Sequence, residues 1–233
     1  KSSRKRQMKS LSKYDIILFD LDGTISESAT GIRYSLEKTI EQIGCDTFDT
    51  SNYKLYIGPP LLDTFTNLCH LSGKSAEDAV EVYRHYYDTE GKLMNKPYKG
   101  IKETLLEIKS TGVKVAVATS KYEKFAEEIV ENLGLTECFD AVCGSLADGS
   151  RKDKKDIIPY AVDRLGKDFN SKIAMVGDTY FDAKGARLCN VDFVGVLYGY
   201  GDKESMENEG ATVFAETTED FIWNTEGLIK CLY

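Results

Sequence analysis

Apolar residues along this chain fall into short uninterrupted runs, most of them closed by a polar or acidic residue. Residues 16–19 run into Asp20, residues 113–118 into Thr119, residues 139–142 toward Gly144, residues 173–176 into Gly177 and Asp178, and residues 191–196 form a fifth run. Runs this short predict buried strands. Between them apolar positions recur at helical spacing: Ile101, Leu105 and Ile108; Phe125, Ile129 and Leu133; Ile157, Ala161 and Leu165; Ala183, Ala186 and Cys189. A stripe repeating every three or four residues buries one side of a helix. The alternation predicts an α/β protein, a doubly wound parallel sheet with helices on both faces.

One interval breaks the rhythm. From Ser26 to Lys96 no strand signal occurs, while Ile32, Leu36, Ile40 and Ile43 mark one amphipathic helix and Ala79, Tyr83 and Tyr87 another. A third helix is expected over residues 61–71, after the Gly58-Pro59-Pro60 turn. Such an interval is far too long for an ordinary connection. The expected organisation is a basic tail over residues 1–12, an α/β core from residues 13–25 and 97–233, and an inserted α-helical domain over residues 26–96. No internal repeat or low-complexity segment interrupts it.

Composition narrows the class. The 233 residues are 42% hydrophobic and 29% charged, enough apolar material for one large domain or a core with a satellite. A net charge of -8 and a pI near 5.0 argue against a nucleic-acid surface. Cys45, Cys69, Cys138, Cys143, Cys189 and Cys231 form no Cys-x-x-Cys pair, so buried free thiols and a reducing cytoplasm are expected. No stretch approaches the roughly 18 apolar residues of a membrane span. The start, with Lys1, Arg4, Lys5, Arg6 and Lys9, lacks the apolar segment of a secretory signal and reads as a mobile tail.

In open parallel sheets ligands bind at the carboxyl ends of the strands, so the residues after each run carry the candidate chemistry. Asp20-Leu21-Asp22-Gly23-Thr24 sets two carboxylates two residues apart on a glycine turn; such a pair needs a cation or a shared proton, unless it is merely a strand-end turn. Thr119-Ser120-Lys121 offers a hydroxyl, backbone amides and a cation at the expected start of a helix, suited to an anion or to simple N-capping. The segment 148–156 is the main cationic cluster beside a predicted strand end, with Lys152, Lys154 and Lys155 all available. Gly177-Asp178-Thr179-Tyr180-Phe181-Asp182 brings further carboxylates, ligands suited to Mg²⁺. His70, His85, Tyr53, Tyr56, Tyr86 and Tyr87 read as surface or packing residues.

Taken together, Asp20-x-Asp22-Gly23-Thr24, Thr119, a lysine before the next helix and Gly177-Asp178-x-x-x-Asp182 resemble the haloacid dehalogenase superfamily over residues 14–230, with the inserted helices similar to its α-helical cap and the sheet Rossmann-like. Gly58-Pro59-Pro60-Leu61, Ala118-Thr119-Ser120-Lys121 and residues 195–201 resemble the phosphoglycolate-phosphatase-like branch. The resemblance implies Asp20 as nucleophile and Asp22 as general acid and base. Thr119 and a lysine would hold the phosphoryl group. That lysine is Lys154, since Lys154-Lys155-Asp156-Ile157-Ile158 looks like the branch's Lys-x-Asp-Val-Ile, with Lys152 in reserve. Mg²⁺ would rest on Asp20, the Asp22 carbonyl and Asp178, with Asp182 a ligand or its neighbour. Gly23, Thr24, Ser120, Lys121, Gly58 and Leu61 are the expected substrate contacts. The implied activity is hydrolysis of a small phosphorylated metabolite by a cytoplasmic monomer or homodimer, with no nucleic-acid or membrane partner. A phosphomutase or pyrophosphatase of the same fold, or a phospho-accepting signalling module, are the alternatives.

Overall fold

The computed structural model describes residues 14–45 and 56–220. The basic tail, Tyr53 and Cys231 lie outside the described residues. Six strands form one all-parallel sheet: β1 (Ile16–Phe19), β4 (Lys114–Tyr122), β5 (Ala141–Ser145), β6 (Ile173–Gly177), β7 (Asp192–Val196) and β8 (Phe214–Ala215), in the order β5-β4-β1-β6-β7-β8. From β1 the chain winds to one side through β4 and β5, then returns across β1 to build β6, β7 and β8. That reversal opens a crevice at the carboxyl end of β1, where Asp20 sits.

Alternation along β1 explains why every residue of it is apolar. Ile16 and Leu18 pack with Ala116, Ala118 and Met175 against Ile157, Ile158 and Ala161 of α6 (Lys154–Arg164). Ile17 and Phe19 turn the other way, with Val115, Val117 and Val176, against Ile101 and Leu105 of α4 (Ile101–Ser110) and Ile129 of α5 (Glu123–Asn132). Each such side chain contributes about 1.5–3 kcal/mol on burial. The small Ala116 and Ala118 let α6 lie close to β4, and this brings the first residue of α6 to the strand ends.

The insertion contains α1 (Ala29–Ile43), α2 (Leu61–Leu68) and α3 (Lys74–Thr89), followed by a 3₁₀ turn at Gly91–Met94. Two short strands, β2 (Ser26–Glu27) and β3 (Lys96–Pro97), pair antiparallel where it leaves and rejoins the core. Its apolar face, with Ile32, Leu36, Phe65, Tyr83 and Tyr87, is continuous with the cluster that packs the α4 and α5 side of the sheet. Lys92, just after α3, bridges Asp88 and the core residue Glu128.

Several boundaries differ from the sequence reading. Residues 26–96 do contain strands, but each has two residues and carries no periodicity. Helix α2 stops at Leu68 rather than continuing to residue 71. Strand β5 begins at Ala141 and runs to Ser145 because Phe139 and Asp140 still belong to the turn leaving Thr136–Cys138. Two further core elements, α8 (Lys203–Asn208) and β8, are too short to mark the sequence, although Met206 of α8 is fully buried. Helix α7 (Tyr180–Cys189) completes the core, and its Ala186 joins the cluster around α6. Cys69, Cys138 and Cys143 are buried thiols. No helix among the described residues is long and apolar enough to cross a membrane.

Candidate active site

Three strand ends and two helix starts converge beneath Asp20. Lys154, the first residue of α6, sends its ammonium inward, with Nζ 2.7 Å from Asp20 Oδ1, 2.7 Å from Asp182 Oδ1 and 2.7 Å from the Ala118 carbonyl oxygen. Its neighbours Lys152 and Lys155 are exposed. Gly185 on α7 makes this approach possible, since a Cβ there would lie 2.3 Å from Lys154 Cβ. Asp182 is positioned by a capping box at the start of α7: its Oδ2 accepts from the Thr179 amide at 3.1 Å and the Thr179 hydroxyl at 2.8 Å. A capping box satisfies two otherwise orphaned donors of a helix start, and here it aims the second oxygen at Lys154.

Asp178 is fully buried and held by a separate set of partners. Thr24 donates to its Oδ1 at 3.1 Å, and the Tyr200 amide donates to Oδ2 at 2.8 Å. Gly23, at φ +80°, could carry no Cβ, because one would fall 2.1 Å from Asp178 Oδ2; a Cβ on Gly199 would fall 2.3 Å from Asp178 Cβ.

Asp20, Asp178 and Asp182 each offer an oxygen within 4.8 Å of the others, and all three are buried. One ammonium pairs with two of the three carboxyl groups, Asp20 and Asp182. Burial, then Asp182 and Asp20, push Asp178 well above the usual carboxylate range; burial also raises Asp182, against the pull of Lys154. Lys154 would be lowered by burial, but Asp182 and Asp20 reverse this and raise it. Asp20 Oδ1 and Asp182 Oδ1 accept no hydrogen bond of good geometry. An acidic, oxygen-only, under-neutralised cluster of this kind fits a hard divalent cation.

Above the cluster opens a cavity of about 500 Å³ between the core and the insertion. Asp20, Asp22, Thr119, Ser120 and Lys121 line its floor; Gly58, Leu61, Tyr83, Arg84 and Tyr87 line its roof. Lys121 is paired with Asp22, Nζ to Oδ2 at 2.8 Å, and donates to the Tyr87 hydroxyl at 2.9 Å. Burial would lower Lys121, yet Asp22, Tyr87 and Tyr83 outweigh it and hold its pKa above the usual lysine range.

The expected site residues therefore separate into groups. Asp20, Asp22, Thr119, Ser120, Lys121, Gly58 and Leu61 share the cavity; Lys154, Asp178 and Asp182 form the cluster beside it. Gly23 and Thr24 do not line the cavity: they pack on Asp178, because the turn after β1 curls over β6. Thr119 and Ser120 are not at a helix start either. Strand β4 continues through an irregular register to Tyr122, and α5 begins only at Glu123, with Tyr122 at its N-cap and no side-chain cap. The sequence reading matched residues 195–201 to a branch of the family but gave the loop after β7 no role at the site; its Tyr200 amide and Gly199 close over Asp178, and its Tyr198 hydroxyl donates to the Thr24 carbonyl at 2.9 Å.

Comparison with known proteins agrees with this geometry. The family model for haloacid dehalogenase-like hydrolases matches residues 17–196, and the chain belongs to that family. It is 34% identical over 198 residues to the tyrosine-protein kinase PtkA of Mycobacterium tuberculosis, covering 85% of this chain and 67% of that protein. To the phosphoglycolate phosphatase of Aquifex aeolicus it is 33% identical over 185 residues, covering 79% and 85%. The crystal structure of a predicted phosphatase from Clostridium acetobutylicum superposes with a TM-score of 0.86 at 33% identity, covering 94% of this chain and all of that one. The chain is a phosphatase-type enzyme of this family, similar to phosphoglycolate phosphatases.

Proposed function

We propose that this protein hydrolyses a small phosphorylated metabolite in a Mg²⁺-dependent reaction that passes through a phosphoryl group on Asp20. The observation that carries this reading is the position of the Asp20 carboxylate, which borders the cavity on one side and faces Lys154 and the Asp178–Asp182 cluster on the other. A carboxylate so placed can attack phosphorus while its charge is balanced from below.

In the first step an Asp20 oxygen forms a bond to phosphorus as the bond to the leaving oxygen breaks, and Asp22 gives that oxygen its proton. In the second, water attacks the acyl phosphate, passes a proton to Asp22, and frees Asp20 and inorganic phosphate. Thr119, buried on the cavity floor, and Lys154 hold the phosphoryl oxygens. Asp20, Asp178 and the Asp22 carbonyl would hold Mg²⁺, with Asp182 orienting Lys154 beside it. When bound, the cation supplies charge neutralisation that lets a phosphate dianion approach the carboxylates.

The insertion acts as a cap over this site. Its roof, from Gly58 to Leu61 and along α3, encloses a space suited to a metabolite rather than to a folded phosphoprotein or a nucleic acid. The test is turnover by purified protein of p-nitrophenyl phosphate and a panel of phosphometabolites, with and without Mg²⁺. Turnover that stops on chelation and returns with Mg²⁺ is expected. Full activity in excess chelator overturns the metal requirement, and efficient dephosphorylation of a folded phosphoprotein overturns the cap's role.

A further inference from the structure

The two oxygens of Asp22 are treated differently by their surroundings. Oδ2 lies 2.8 Å from Lys121 Nζ, whereas Oδ1 is buried without a hydrogen-bond partner on a residue that lines the cavity. A free aspartate rotates easily about its last torsion and exchanges its oxygens. Lysine carries only donors, so an oxygen facing an ammonium cannot also present a proton in that direction.

We propose that Lys121, anchored from the insertion by Tyr87, is a positioning residue that fixes the rotation of Asp22, so that Oδ1 is the oxygen exchanging a proton with the leaving group and then with water. This rests on the phosphatase reading above. Lys121 extends from the last residues of β4, with a side chain only 9% exposed. Its second donor goes to the Tyr87 hydroxyl at 2.9 Å, and its Nζ stands 4.2 Å from the Tyr87 ring centroid. Both contacts are to an uncharged group. The ammonium is thereby located without a second carboxylate competing with Asp22 for its charge.

Tyr87 is itself immobilised. It is 1% exposed, stacked on Tyr83 at 5.6 Å between centroids and tilted against Phe125 of the core at 5.7 Å. Its hydroxyl also accepts from Asn95 Nδ2 at 3.1 Å, and the same amide donates to the Lys92 carbonyl at 2.9 Å. Asn95 immediately precedes β3, where the insertion rejoins the core. A chain of contacts therefore runs from the junction of the two parts through Tyr87 and Lys121 to Asp22. The competing assignment makes Lys121 a direct contact for an anionic leaving group.

The experiment compares p-nitrophenyl phosphate, whose leaving group needs little protonation, with glycerol 2-phosphate, whose alkoxide needs it fully and whose leaving group is uncharged. General-acid assistance contributes about 10²–10⁴-fold. Lys121→Met should therefore cut kcat/KM on glycerol 2-phosphate by about 100-fold and on p-nitrophenyl phosphate by less than about 5-fold, since kcat/KM reports only the steps through transfer to Asp20 and leaves out the water step that both esters share. Tyr87→Phe keeps the packed ring and loses only the hydroxyl; it should show the same split at about 5-fold on the alkyl ester, and the double variant should be no worse than Lys121→Met. Lys121→Arg, which can still hold Oδ2, should recover part of the loss. Equal kcat/KM losses on the two esters, or no loss on either, overturn the assignment; if Lys121→Met does not fold, the split in Tyr87→Phe decides it. No turnover of either ester by the unmodified protein overturns the phosphatase reading itself, whereas turnover with uniform variant losses overturns this inference alone.

Discussion

Two buried ammonium groups pair with the two carboxylates that follow β1, and they are embedded differently. Lys154 draws all three of its contacts from the α/β core: Asp20, Asp182 and the Ala118 carbonyl. Lys121 draws one from the core, Asp22, and one from the insertion, Tyr87. The first arrangement balances charge within a single rigid unit. The second ties a core carboxylate to Tyr87 of α3 in the insertion, so its geometry depends on how the two parts meet. A burial cost offset by two carboxylates suits a cation fixed in place to meet a charged phosphoryl group; one carboxylate and a hydroxyl suit a cation that orients.

The sharpest way to break that comparison is to remove the charges. Lys154→Met leaves Asp20 and Asp182 buried without their cation, so a stability loss of about 3–5 kcal/mol is expected by chemical denaturation. Lys121→Met strands only Asp22, whose side chain is 13% exposed at the cavity wall, and should cost clearly less. Equal losses would erase the distinction. On the same core side, Asp20→Asn preserves shape and should reduce turnover on the order of 10⁴-fold or more, since nothing else there can accept the phosphoryl group.

Metal binding should sharpen the contrast next. Asp178 is raised by burial and by its acidic neighbours, so a cation that relieves this binds the folded state and raises the melting temperature. At Mg²⁺ one hundredfold over its dissociation constant the gain is about 2.7 kcal/mol. Asp178→Asn should abolish that Mg²⁺-dependent shift, whereas Tyr87→Phe should keep it. A shift of equal size in Asp178→Asn would remove Asp178 from the metal site.

A subtler disturbance of Lys154 is available at Gly185. Alanine in a helix interior ordinarily stabilises by up to about 1 kcal/mol over glycine, but here its Cβ would meet Lys154 Cβ at 2.3 Å, with the Lys154 backbone carbon at 3.4 Å. Overpacking of this kind costs about 1–3 kcal/mol. Gly185→Ala should therefore destabilise on balance and lower kcat as α6 is pushed from Asp20. A more stable, fully active variant would show that α6 and α7 have slack at this contact.

The contrast also explains what could be read from the chain. The core side was legible because its chemistry follows strand ends: Asp20, Thr119, Lys154 and Asp178 each close or follow an apolar run, and parallel-sheet geometry then brings them together. Choosing Lys154 among three lysines needed the resemblance; in the structure it is the first residue of α6 and turns inward to Asp20, whereas Lys152 is exposed at the edge of the cavity and Lys155 is exposed. On the insertion side the helices and the Gly58–Leu61 segment could be read from the chain, but the link to Asp22 could not. Tyr87 has the spacing of an ordinary packing residue, which it also is, and its hydroxyl meets Lys121 across 34 residues of sequence. Strands β2 and β3 are too short for periodicity, and Thr24 points at Asp178 because of a turn that no pattern of polarity reveals.

A third lysine–carboxylate group marks the limit of the comparison and should produce the smallest effect. Strand β4 carries Lys121 near its catalytic end and Lys114 at its start, where Lys114 lies 3.2 Å from Asp140 Oδ1, Lys109 lies 3.7 Å from the same oxygen, and the Val115 amide donates to Oδ2 at 3.0 Å. Partial burial would raise Asp140, but the Val115 amide and the two ammonium groups outweigh it and hold its carboxyl below the usual range. A group whose folded pKa is depressed stabilises above its unfolded pKa, near 3.9, and loses that contribution as pH falls through the folded value. Asp140→Asn keeps an acceptor for Val115 and removes only the charge, in a setting open enough for solvent to screen it, so the loss near pH 7 should be under about 1 kcal/mol. The difference between the variant and the unmodified protein in urea unfolding should shrink as pH is lowered below about 4, and kcat should be unchanged, because this end of β4 is remote from Asp20. A loss that grows toward acid would reverse the sign assigned to Asp140, and a fall in kcat would show that the two ends of β4 are coupled.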